Sequence, residues 1–184
     1  DDKILTDWNG LMIGALALGA RILDEPAYAA AAAKAAQFML TTLRKPDGRL
    51  FHRYREGEAA VDAHADDYAY LISGLLELYA VTSDPDYLEE AASLQRQMTA
   101  DFWDGSAGGF YFTTEGADAL PVRPKELYDG ASPSANSVSL RNLLRLFRLT
   151  GDPVWENTAA EVTRAFAGTV TKQPTAFTYF LMGV

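Results

Sequence analysis

The chain contains no cysteine and only two histidines. The first absence removes disulfides, thiolate metal sites and thiol nucleophiles, and it fits a reducing, cytoplasmic location. The second confines imidazole chemistry to His52 and His64. Cations are also few, with 16 Lys and Arg against 25 Asp and Glu and a net charge of -9. That is the wrong sign for a nucleic-acid surface. No apolar run reaches the roughly 20 residues of a membrane-spanning helix. There is no HExxH, no calcium loop and no run of clustered ligands, so neither a metal nor another cofactor is expected.

What is present reads as one globular domain. The 184 residues are 48% hydrophobic and 22% charged, enough for a substantial core. The chain opens at Asp1 without Met and stops within an apolar stretch, "AFTYFLMGV", so the expectation is a piece of a longer protein.

Three stretches repeat one pattern: "DEPAYAAAA" from Asp24, "SDPDYLEEA" from Ser83 and "GDPVWENTA" from Gly151. An acidic residue precedes Pro26, Pro85 and Pro153, and an aromatic follows two residues later at Tyr28, Tyr87 and Trp155. Proline suits the first helical position, and Asp84 and Asp152 suit the cap before it, with Glu25 a weaker cap. An apolar helical run precedes each start and a second helix follows it. The run from Tyr68 to Val81 is apolar nearly all round and reads as buried. The helix from Pro85 carries Leu88, Ala91, Leu94, Met98 and Phe102 on one stripe, the pattern of a half-solvated helix.

The expected fold is therefore all-α: three helical hairpins at approximately 7–43, 66–102 and 134–168, with a further helix starting near 174–182. The Pro-to-Pro spacings of 59 and 68 residues exceed the periods of about 34 and about 40–47 of common two-helix solenoids. The excess lies in the links from Lys45 to Ala65 and from Asp104 to Pro133, where "GRLFHRY" and "GGFYFTT" suggest small β-hairpins. Short turns would then gather at one end of the array and long links, the usual seat of function, at the other. Gly10, Gly14 and Gly74 inside helices point to close helix approach as compensation for their poor propensity.

"KILTDWNGLMIGALA" at 3–17, "DDYAYLISGLLELY" at 66–79 and "VRPKELYDGASPSANSV" at 122–138 resemble the C-terminal region of the YyaL-type, spermatogenesis-associated, thioredoxin-domain-containing family. The resemblance covers essentially the whole chain. It implies a partial (α/α)6 toroid, similar to six-hairpin glycosidases and N-acylglucosamine 2-epimerases, with about half of the ring and the thioredoxin-like domain absent.

On such a toroid the helix starts and long links surround a cavity. That face would hold Asp7, Trp8 and Asn9, then His64, Asp66, Asp67 and Tyr68, then Glu126, Tyr128, Asp129, Ser132, Ser134 and Asn136. Carboxylates beside aromatics suit carbohydrate chemistry. Asp66 or Asp67 with Asp129 or Glu126 are the candidate catalytic carboxylates. Asp7, Trp8, Asn9, His64, Tyr68, Tyr128, Ser134 and Asn136 are the candidate sugar contacts. Asp66 and Asp67 diverge by about 100° on a helix, so a carboxylate pair must come from two hairpins. An epimerase of the acylglucosamine type relies on histidines, and only His64 is expected at this face, with its partner in the missing half.

Each candidate also has a structural explanation. Asp7, Asp66 and Ser134 stand where N-caps stand, Asp67 suits a first helical turn, and Trp8 can anchor packing. "DGASPS" is ordinary turn chemistry. Arg141, Arg145 and Arg148 read as a solvated helix face. The competing reading is thus a non-catalytic helical scaffold that docks the thioredoxin-like domain or a protein partner. In either case the fragment alone is expected to be inactive and to self-associate through exposed apolar flanks.

Overall fold

The computed structural model describes residues 2–116 and 122–184. Its elements are β1 (Ile4–Leu5), α1 (Thr6–Leu23), α2 (Pro26–Thr42), β2 (Phe51–Arg55), β3 (Glu58–Asp62), α3 (Ala65–Thr82), α4 (Pro85–Phe102), α5 (Ala135–Thr150), α6 (Pro153–Lys172) and α7 (Thr178–Leu181). A 3₁₀ turn at Pro174–Ala176 precedes α7. The fold is all-α apart from a three-stranded antiparallel sheet in the order β1-β2-β3. Two compact units are present, Asp1–Gln97 and Met98–Val184. Among the described residues no helix is long and apolar enough to cross a membrane.

The three Pro starts are built alike. A residue in the left-handed region ends the preceding helix: Asp24 (φ 53), Ser83 (φ 57) and Gly151 (φ 71). An acid then turns back on the new helix, with Glu25, Asp84 and Asp152 accepting from the amides of Ala27, Asp86 and Val154. Each proline occupies the first helical position, where a missing N–H costs nothing. The aromatics that follow differ in burial. Trp155 is buried, and Tyr28 lies against Gly19 of α1.

In the first unit, α3 is the core element, and α1 and α2 pack against it. Tyr68, Ala69, Leu71, Ile72, Leu75, Leu76 and Leu78 are all buried, which accounts for an apolar run with no polar face. α1 and α3 meet backbone to backbone. A Cβ on Gly10 would lie 2.5 Å from the Leu71 nitrogen and the Tyr70 carbonyl carbon, and one on Gly74 would lie 2.6 Å from the Gly10 oxygen. At Gly14 the same atom would meet Gly74 Cα at 3.6 Å, an ordinary contact. The opposite side of α1 exposes Trp8, Leu11, Met12, Leu18 and Ile22.

The first long link forms the expected hairpin. β2 and β3 pair in the register Phe51↔Asp62 to Arg55↔Glu58. They turn through Glu56 (φ 51) and Gly57 (φ 87), the double positive φ of a twist-compatible two-residue turn. β1 adds the third strand through Ile4↔Tyr54 and Leu5↔Arg53.

The second link does not form the expected hairpin among its described residues. It has a single bridge, Trp103↔Phe110. The Asp104 amide to the Gly109 carbonyl and the Tyr111 amide to the Phe102 carbonyl flank that bridge, with Gly108 and Gly109 in positive φ at the turn. The pairing goes no further because the Phe110 and Phe112 amides go to Asn136 Oδ1 and the Pro124 carbonyl. In the second unit, α5 packs on α6 and α7. Its core includes Phe110, Val138, Leu140, Leu143, Leu146, Val162 and Phe180.

The glycine contact gives a paired expectation. Gly10→Ala should destabilise by about 1–3 kcal/mol, because backbone blocks the new methyl. Gly14→Ala should be neutral or stabilising by up to about 1 kcal/mol through helix propensity. Chemical denaturation of both variants checks the contrast.

Candidate functional site

The first turn of α3 places Asp67 beneath the start of α1 and beside β2. Its side chain is buried, and three segments converge on it. Oδ1 accepts the Asp7 amide at 3.0 Å, and Oδ2 accepts the His64 amide at 2.8 Å. His52 Nδ1 lies 3.0 Å from both oxygens. An ionised carboxylate only accepts, so His52 Nδ1 carries the proton there and Nε2 is left to act. His64 Nδ1 stands 3.8 Å from Oδ2. The two imidazole rings meet edge to face at 5.2 Å. Their side chains are 25% and 29% exposed, so both touch solvent above a carboxylate that does not.

The electrostatics follow from that geometry. The hydrogen bond to Asp67 is the main reason why His52 holds its proton above the usual imidazole range; burial opposes it and the Asp67 and Asp7 charges support it. Asp7 is also raised above its ordinary 3.8, chiefly by burial and next by the Asp67 charge, although its carboxylate accepts the Trp8 amide at 2.8 Å.

The other candidates in this unit fall out as follows. Trp8 is 65% exposed and offers an open indole face. Asn9 donates to the Leu5 carbonyl at 2.7 Å, closing the start of α1. Tyr68 is buried, and its hydroxyl accepts the Leu50 amide at 2.9 Å, so it packs and is not a stacking platform. Asp66 is half-buried in the same turn as Asp67. The N-cap expectation is corrected for two residues. Leu5 and His64 occupy those positions, and Asp7 and Asp66 lie inside the first turns, because the extended residue before each helix comes earlier than the sequence suggests.

In the second unit, Ser134 is the N-cap of α5 and accepts the Ser137 amide at 3.2 Å. Asn136 is buried; its oxygen accepts the Phe110 amide at 2.8 Å, and its nitrogen donates to the carbonyls of Phe110 and Glu126 at 2.9 and 2.8 Å. Asp129 accepts three amides: Ser134 at 3.0 Å on Oδ1, with Tyr179 at 2.8 Å and Phe180 at 3.0 Å on Oδ2. It thereby fastens α7. Glu126, Tyr128 and Ser132 are exposed. Of the expected catalytic carboxylates, Asp66 and Asp67 belong to the first compact unit, and Asp129 and Glu126 to the second.

Two groups escaped sequence reasoning. His52 was unassigned, although strand alternation places it and Tyr54 on one face of β2. Asp104 opens "DGSAGG" and is nearly buried. It takes the Ser106 hydroxyl and amide at 2.6 and 2.8 Å, the Ala107 amide at 3.1 Å and the Tyr111 hydroxyl at 2.7 Å, and it pairs with Lys125. Lys125 first, then the Ser106 and Tyr111 hydroxyls, hold its carboxyl far below the usual range. This is a loop fastener. His52, His64 and Asp67 are also a clustered ligand set, which sequence inspection did not expect because His52 comes from β2 and the other two from the start of α3.

This architecture is that of (α/α)6 toroid proteins. A GH76 α-mannanase from Bacteroides thetaiotaomicron is similar with a TM-score of 0.76 and 18% identity, over 91% of this chain and 45% of its own. The cellobiose 2-epimerase of Spirochaeta thermophila gives 0.71 and 18%, over 90% and 43%. No family model matches the chain. By sequence, the chain is homologous to spermatogenesis-associated protein 20, of the thioredoxin-domain-containing family. It shares 34% identity with the human protein over 186 residues and 36% with the rat protein over 188, in both cases over 96% of this chain. It spans about a quarter of the length of these curated relatives, 24%.

Two substitutions check the assigned roles. Asp129→Ala should cost about 1–3 kcal/mol, since three amides lose their acceptor, and hydrogen exchange should show the 178–181 helix opening first. Asp7→Asn should act through pH. A raised folded pKa means stability that is complete below pH 3.8 and lost as pH rises through the folded value. Removing that group should therefore stabilise the protein at neutral pH, by about a few tenths of a kcal/mol at a half-exposed site, and the gain should vanish in acid. Urea midpoints at pH 3.5 and pH 7 measure it.

Proposed function

We propose that this chain supplies one face of a carbohydrate-binding toroid, and that the full-length protein processes its sugar there by proton transfer. The observation that supports this reading is the pair of solvent-touching imidazoles on one buried carboxylate, His52 and His64 on Asp67. Two adjacent imidazoles are the side chains best suited to give and take a proton near neutral pH. Asp67 is then a positioning residue, because amides and His52 already take its lone pairs. Trp8, adjacent to Asp7, receives a pyranose face. The exposed Glu126 keeps its carboxylate for substrate contact, whereas Asp129 has three backbone donors to serve. The α-mannanase, the 2-epimerase and an unsaturated glucuronyl hydrolase from a Bacillus with TM-score 0.69 share the fold, which lends the carbohydrate class its weight.

A scaffold role is favoured by a different observation. Asp67, Asp104 and Asp129 all hold backbone amides in place, which is what a non-catalytic framework for the thioredoxin-like domain requires.

Saturation-transfer NMR on the full-length protein with manno-oligosaccharides, cellobiose and unsaturated uronides separates the two. At least one sugar should bind, and Trp8→Ala and His64→Gln should each weaken it about tenfold or more while circular dichroism stays unchanged. Binding indifferent to both substitutions, or absent for every sugar, would sink the carbohydrate reading and leave the scaffold.

A further inference from the structure

We propose that His52, His64 and Asp67 form a binding site for a divalent cation of the zinc class, independent of any sugar. The three ligand atoms come from β2, the residue before α3 and the first turn of α3, and all lie within 4.8 Å of one another. Ligands on a tetrahedral zinc at about 2.0–2.1 Å stand about 3.3 Å apart. The His52 nitrogen lies 3.0 Å from the Asp67 oxygens and the His64 Nδ1 lies 3.8 Å from Oδ2. Those two separations bracket the ideal, and the whole set, within 4.8 Å, closes on one ion if the imidazoles rotate inward.

The lone pairs of Asp67 are arranged for it. The Asp7 amide takes one on Oδ1 and the His64 amide takes one on Oδ2. The remaining pair on each oxygen is directed at His52 Nδ1. A cation there replaces the His52 proton without costing Asp67 either amide, and those amides are the outer hydrogen bonds that orient a ligating carboxylate. Two imidazoles and a carboxylate select zinc-like ions; magnesium and calcium prefer all-oxygen sets. Both imidazoles are partly exposed, so the fourth position opens to solvent, the form of a site that admits water or ligand.

The chain makes the test clean, since it has two histidines and no cysteine. Tag-free protein is dialysed against micromolar zinc without sugar, and bound metal is measured. One zinc per chain is expected, and cobalt in its place should give the visible absorption of a four-coordinate ion. His52→Ala and His64→Ala should each weaken uptake tenfold or more, and His52→Gln serves if the alanine variant melts early. Uptake unchanged in the histidine variants, or no stoichiometric uptake by a folded protein, overturns the site. Because no carbohydrate is present, the result does not test sugar binding; an ion held by both imidazoles would take the place of proton transfer as their role in the proposed site.

Discussion

Everything in the first unit depends on how closely α1 and α3 approach. Gly10 and Gly74 let the two backbones touch where any side chain would clash. That contact puts the Asp7 amide within reach of Asp67, and so sets the position of the one carboxylate on which the imidazoles rest. Two residues with no chemistry of their own therefore decide the geometry of those that have it. The helix-propensity cost of two glycines, about 1 kcal/mol each, is offset by the burial that this approach allows along Ile13, Ala17, Leu71 and Leu75.

Carboxylates in this protein act mainly as clamps on the backbone. Asp67 joins the start of α1, the start of α3 and β2; Asp104 closes the loop after α4; Asp129 ties the loop before α5 to α7. A buried carboxylate is costly unless several donors meet it, and amides at helix starts are donors with no helical partner. Each clamp thus solves two problems of satisfaction at once. The consequence for chemistry is direct. A carboxylate whose lone pairs are taken is a poor nucleophile, so in the first unit the proposal turns to what it holds, His52 and His64.

The helices were legible because their signals are local. Proline after an acid at 26, 85 and 153, and an unbroken apolar run at 68–81, each specify an element within a few residues. The site was legible only by neighbourhood. "DWNG" and "DDY" mark the right helix starts, but residue type does not say which N–H faces which oxygen. Asp7 and Asp66 read as caps by composition, and the structure moves each cap two residues earlier, to Leu5 and His64. His52 was missed because its relevance depends on strand register, Phe51 against Asp62 and Tyr54 against both Ala59 and Ile4, which no short window contains. The second hairpin failed for the converse reason. "GGFYFTT" has strand-forming residues, but Asp104, Asn136 and the Pro124 carbonyl offer its amides other partners.

The scarcity of histidine now takes on a different meaning. With two imidazoles in the chain, independent placement would seldom put their rings 5.2 Å apart on a common buried anion. A hairpin strand delivers one, and the other caps the start of α3 in a capping box with Asp67. Leu5 begins α1 with no side-chain cap bond, and Asp67 alone already satisfies the His64 amide. Capping accounts for part of the place of His64, but it does not require the His52 ring beside it on the same anion, and the proposals for the first unit rest on that shared anion.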